Sequence, residues 1–113
     1  KKLDVETKGF AAAVDRVSAI SSEKSRAVKL NIASGILTLS ASSPEDGSAT
    51  EEIEVDYQGD VLEVGFNAGY LLDIVRQIEG SNARMLMADA ASPTIFSEVD
   101  DPGVLYVLMP MRV

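Results

Sequence analysis

Apolar residues recur along this chain with two different periods, and the period separates helices from strands. In "TKGFAAAVDRVSAISSEK" (7–24), Phe10, Ala13, Val14, Val17 and Ile20 follow one another at three- and four-residue steps. That spacing is the single stripe of an amphipathic helix, with Thr7 placed to cap its N-terminus. "NAGYLLDIVRQIEG" (67–80) repeats the pattern with Leu71, Ile74, Val75 and Ile78. Asn67 is its expected cap and Gly80 its expected stop. Elsewhere the period is two. Val28, Leu30 and Ile32 alternate with Lys29 and Asn31, and Leu37 and Leu39 alternate with Thr38 and Ser40. The Ser34-Gly35 pair between these runs predicts a hairpin over 27–41. Further strands are expected at 52–57, 61–66, 83–88, 94–98 and 103–109.

The pattern also repeats on a longer scale. Thr7, Gly9, Phe10, Val14 and Arg16 find counterparts sixty positions on, in Asn67, Gly69, Tyr70, Ile74 and Arg76. Each copy reads as a strand, a capped helix and about three strands. The expected fold class is therefore α+β, in which two strand-helix-strands repeats form antiparallel sheet with both helices packed on one face. The outer helix surfaces then carry Ala11, Ala12, Asp15, Arg16 and Ala19 from the first helix, and Asp73, Arg76 and Gln77 from the second. Such a smooth, mildly basic surface suits either plain solvation or loose, sequence-blind contact with a polyanion.

Composition changes this picture in a few respects. At 113 residues the chain is one domain by length, with 46% hydrophobic and 25% charged residues. No apolar run approaches the roughly 18 residues of a membrane span, and Lys1 and Lys2 precede no secretory h-region, which points to a cytoplasmic protein. The absence of cysteine and histidine excludes disulfides, thiolate metal sites and the commonest general base. The formal net charge is −8, which as a whole repels phosphates. The acids nevertheless gather in 43–56 and 97–102, whereas Lys8, Arg16, Lys24 and Arg26 lie in and around the first helix.

Catalytic constellations are hard to assemble from what remains. Glu51 and Glu52 are adjacent, so on a strand they point to opposite faces and cannot flank one bond. "SPEDGSATEE" lacks the spacing of a calcium loop, and "SGILTLS" lacks a phosphate-loop lysine. No catalytic residue, metal or cofactor is expected. The segment "GVLYVLMPMRV" raises a different possibility: unbranched, polarizable methionines on either side of a stiff proline can repack around varied guests. The same residues could equally serve as core.

Three stretches carry a family resemblance: "SSEKSRAVKL" (21–30), "VGFNAGYLLDIV" (64–75) and "YVLMPMRV" (106–113). Through them the whole chain closely resembles the third, C-terminal domain of the bacterial sliding clamp, the beta subunit of the replicative DNA polymerase holoenzyme. The resemblance implies that residues 1–113 are one of three similar domains per subunit. Two subunits form a ring around duplex DNA, with helices lining the hole, so that this domain alone cannot close a ring. It implies a pocket for short linear peptides from the polymerase, the clamp loader and repair proteins, built from Val107, Leu108, Met109, Pro110, Met111, Arg112 and Val113. Asn67 and Tyr70 would form its neighbouring subsite and Pro93 its rim. It further implies that Lys8, Arg16 and Arg76 face DNA, and that Ala19, Ile20, Glu45, Glu51 and Glu52 meet the other subunit of the homodimer. A solvated loop is the plainer reading of the acidic run. A free-standing peptide-binding adaptor, with no membrane and no DNA partner, is the competing function; retention on circular but not linear DNA separates the two.

Overall fold

The computed structural model describes residues 1–20, 27–43 and 47–111. Its first unit runs β1 (Lys2–Glu6), α1 (Thr7–Ser18), β2 (Ala27–Ala33), β3 (Ile36–Ser43) and β4 (Gly47–Glu54). A short β5 (Asp56–Tyr57) leads into the second unit, β6 (Leu62–Asn67), α2 (Ala68–Gln77), β7 (Asn82–Leu86), β8 (Thr94–Glu98) and β9 (Asp101–Leu108). The class is α+β, with two helices and all-antiparallel pairing, as the periods predict. The antiparallel layer is divided in two, one sheet in the order β5-β1-β7-β8-β9 and the other in the order β4-β3-β2-β6.

The division shows how the two units interlock. Leading strand β1 pairs with β7 of the second unit, Val5 opposite Ala83, while β6 pairs with β2 of the first unit, Phe66 opposite Val28. Neither unit therefore owns a complete sheet. Alternation explains the burial: Leu3 and Val5 in β1, Val28, Leu30 and Ile32 in β2, and Leu37 and Leu39 in β3 all turn into the core. The helices add Phe10, Ala13, Val14 and Val17 from α1 and Leu71, Leu72 and Val75 from α2. Phe66 and Phe96, one from each sheet, meet edge to face with ring centroids 6.0 Å apart.

The repeat is real, but its register is sixty-one residues rather than sixty. Thr7 and Ala68, Phe10 and Leu71, Val14 and Val75, and Val17 and Ile78 are buried pairs at that offset, as are Leu3 and Val64, and Val5 and Phe66. The sixty-residue letter match aligns buried Phe10 with exposed Tyr70, because shared letters on the wet face carry no packing constraint.

That shift also corrects the first cap. Glu6, not Thr7, occupies the N-cap of α1, with φ −65° and ψ 124°, close to the −66° and 121° of Asn67. Thr7 is the first helical residue. Its amide donates to the Ser81 carbonyl at 2.9 Å, and its hydroxyl is buried with no partner among the described residues. At the far end of α2, Gly80 is not the stop. The helix ends at Gln77, and Ile78 turns extended at φ −81° and ψ 113° to bury its side chain, so burial overrides a glycine cap.

The hairpin is as expected: Gly35 takes φ 78° in the two-residue turn, a conformation glycine adopts without a Cβ penalty. The run 52–57 differs, because Val55 marks a passage from one sheet to the other. β4 begins five residues before the expected start and pairs along β3, whereas β5 pairs with β1. Helix α1 likewise gives way before the end of its stripe, leaving Ala19 and Ile20 in a turn with Ile20 packed on the core.

Candidate functional site

Strand β9 and the residues after it form the first candidate surface. Its alternation puts Val107 outward and Leu108 inward, 9% exposed, and opposite Thr94. Met109 then stands 59% exposed and Met111 38% exposed, whereas Met85 and Met87 are buried in the core. The chain does not trail away after β9. Met111 donates its amide to the Gly65 carbonyl at 2.7 Å, forming an isolated antiparallel bridge to β6. Residues 109–111 thus strap the five-stranded sheet to the outer edge of the four-stranded one.

Beside this strap lies a cleft of ≈ 360 Å³ lined by Glu63, Val64 and Gly65 of β6, Ala90 and Ala91 of the β7–β8 loop, and Pro110 and Met111. The loop wall is held by one side chain. Asp89 Oδ1 accepts from the amides of Ala91 and Ser92 at 2.8 and 2.7 Å. Those hydrogen bonds, with that from Ala91 the largest influence, keep the Asp89 carboxyl below the usual carboxylate range.

Of the residues expected in a peptide site, Pro110 and Met111 line the cleft itself. Asn67 ends the β6 wall and caps α2, its Oδ1 accepting from the Tyr70 amide at 3.1 Å. Tyr70 projects from the first turn of α2 with 62% of its surface exposed. Pro93 is exposed at the end of the loop that supplies Ala90 and Ala91, Val107 is exposed just before the strap, and Met109 is exposed within it. Leu108 serves mainly as core, and Arg112 and Val113 lie outside the described residues. Sequence reasoning overlooked Glu63, Gly65, Ala90 and Ala91 as lining. The Asp89-to-Ser92 spacing was the available signal for the loop, since aspartate favours turns of this kind.

The second surface is the wet side of the helices. Arg16 donates from Nε and Nη2 to the two carboxylate oxygens of Glu51, both at 2.7 Å. This side-chain hydrogen bonding holds the Glu51 carboxyl low and raises Arg16 further. Arg76 Nη2 lies 3.8 Å from Asp15 Oδ1. Lys8 is exposed, with no ion pair among the described residues. On β4, Glu51 turns toward α1 between half-buried Ala49 and Ile53, while Glu52 and Glu54 point the other way. The two adjacent glutamates therefore occupy opposite faces, as a strand requires. Ala19 is exposed, Ile20 is half-buried, and Glu45 lies outside the described residues.

A doubled strand-helix-strands domain, with its helices together and a strapped cleft at one edge, defines a clamp-type domain. The family described as DNA polymerase III beta subunit, C-terminal domain, matches residues 1–112, and the chain belongs to it. The chain is 54% identical over 113 residues to the beta sliding clamp of Caulobacter vibrioides, and 39% identical over 100 residues to that of Pseudomonas aeruginosa. It spans 30% of the length of the first and 27% of the second. Among solved structures, Caulobacter crescentus pol III beta superposes with TM-score 0.95 at 54% identity, covering 100% of this chain and 30% of that one. The Bartonella birtlesii sliding clamp bound to griselimycin gives 0.95 at 44% identity, covering 99% and 30%. Among the described residues, no helix is long and apolar enough to cross a membrane.

Proposed function

We infer that this chain is the third domain of a bacterial sliding clamp, a non-catalytic processivity factor of DNA replication. In this reading two three-domain subunits close a cytoplasmic ring around duplex DNA. The α1 and α2 surface bearing Lys8, Arg16 and Arg76 faces the duplex and reads no sequence. The free edge of β4 and the end of α1 meet the other subunit of the homodimer, through Glu45, Glu51, Glu52, Ala19 and Ile20. Charges at such a rim set partner choice and association rate more than affinity.

The strap carries the peptide-binding half of the reading. It fixes the backbone of 109–111 against β6 while leaving Met109 and Met111 exposed, an arrangement suited to receiving an apolar guest. Short linear peptides of the replicative polymerase, clamp loader and repair proteins would dock there. Tyr70 offers a rigid body with a polar tip, the type of side chain that dominates binding energy. Asn67, Pro93, Val107, Leu108, Pro110, Arg112 and Val113 complete the assigned site, with Ala91 added from the cleft.

The test uses the full-length protein loaded on DNA. A clamp stays on closed circles and runs off linear molecules; equal retention on both would instead favour a peptide adaptor indifferent to DNA ends.

A further inference from the structure

The two arginines assigned to the DNA-facing surface are both already engaged by carboxylates of the same chain. Arg76 of α2 approaches Asp15 of α1 at 3.8 Å, and Arg16, the next residue, makes a two-bond fork with Glu51 of β4 at 2.7 Å. Asp15 also adds a Coulombic contribution that raises Arg16. Cation and anion thus alternate in one row from α2 across α1 to the edge strand.

We propose that Asp15 and Glu51 are positioning residues that compete with DNA phosphate for Arg76 and Arg16, so that the helix face meets a duplex with its guanidinium charge held back. This rests on the reading of that face as the DNA-lining one. The geometry suits competition rather than permanent burial. The Arg16 side chain is 60% exposed and Glu51 28%, so a phosphate can reach the guanidinium only against a fixed anion beside it. Exposed pairs are weak enough to exchange, while a fork of two charge-assisted bonds is the strongest form such a pair takes. An arginine neutralised in this way releases fewer of the counterions condensed on the duplex, and so contributes less of the salt-dependent affinity that grips DNA. A ring that must slide gains from a bore that holds its charge in reserve.

The experiment measures equilibrium binding of the full-length protein to linear duplex DNA between about 50 and 200 mM salt. With Glu51→Gln and Asp15→Asn combined, binding should tighten several-fold at the lower salt, and the salt slope should steepen by about 0.9 per released arginine. Compared with Glu51→Gln alone, Glu54→Gln makes the same charge change on the opposite face of β4 and should give a smaller gain. In an Arg16→Gln background, Glu51→Gln should add nothing, which a general charge effect or a structural role for Glu51 would not produce. Asp15→Asn in the Arg16→Gln background leaves β4 untouched and reads Arg76 separately. Unchanged affinity and slope in the carboxylate variants, a gain matched by Glu54→Gln, or a gain that persists without Arg16 overturns the proposal while leaving the helix face as the DNA side. If Arg16→Gln and Arg76→Gln do not weaken binding, the helix-face reading falls and the proposal with it.

Discussion

Glu6 and Asn67 enter their helices with matching backbone angles, yet only Asn67 satisfies a helix amide with its side chain. Replacing Asn67 with alanine should therefore cost about 1 kcal/mol in thermal or urea unfolding, the usual value of a lost N-cap. Thr7 predicts the opposite sign. A capping threonine would be missed, but this hydroxyl is buried without a partner among the described residues, and valine keeps the shape while removing a desolvated polar group. Thr7→Val should raise stability by about 1 kcal/mol; a loss measured by the same unfolding would restore its capping role. The two positions show what residue letters could and could not convey. Asn67 and the stripe behind it were legible because cap and periodicity agree. Thr7 has an equally good capping letter, and only the register of Phe10, Val14 and Val17 against the core moves the helix entry back to Glu6. Burial sets that register, and burial is absent from a letter match.

At the scale of elements, β1 and β7 are joined by a directly opposed pair, Asp4 and Arg84. Arg84 donates from Nε and Nη2 to the two oxygens of Asp4 at 2.8 and 2.9 Å. The Arg84 hydrogen bonds hold the Asp4 carboxyl below its ordinary value, outweighing the opposing effect of burial. A depressed acid contributes stability that is present in full above its unfolded pKa of about 3.9. That contribution is lost as pH falls through the lower folded value. Asp4→Asn should accordingly lower the urea midpoint at neutral pH, and the gap from the parent protein should close as both are titrated below about pH 4. A gap that stayed constant with pH would mean the pair does not link the strands electrostatically. Element legibility follows the same division between local and long-range causes. The β2–β3 hairpin could be read because alternation, a two-residue turn and Gly35 coincide. The start of β4, "GSATE", could not, because an edge strand has few apolar positions to mark it, here Ala49 and Ile53. The break at Val55 was invisible for another reason: β5 owes its place to β1, more than fifty residues earlier.

For the whole molecule, the interlocked units explain why the dock proposed at the solvent-exposed strap can hold its shape. β6 owes its position to β2, and β9 to β8, so the strap from Leu108 to Met111 spans two sheets already fixed by the shared core. The resemblance implies a site at the strap residues, but Ala90 and Ala91 meet Gly65 across the cleft through contacts distant in sequence, which no local pattern encodes. Because Tyr70 is mostly exposed, Tyr70→Ala should leave unfolding nearly unchanged. It should weaken partner-peptide binding about thirtyfold, corresponding to a hot spot of roughly 2 kcal/mol. The strap makes a stronger demand. Among the described residues, ending the protein after Leu108 removes the Met111–Gly65 backbone hydrogen bond, worth about 1 kcal/mol net, together with Met109 and Met111, whose side chains contribute little core. Calorimetric titration with a partner peptide should then show binding abolished, while the unfolding free energy falls by only about 1 kcal/mol. A collapse of the fold on truncation would make residues 109–113 a structural closure of the two sheets. Retained peptide affinity would move the dock to the Tyr70 side of α2. Only loss of binding with the fold preserved matches a segment whose backbone is fastened and whose methionines are left free to pack against a guest.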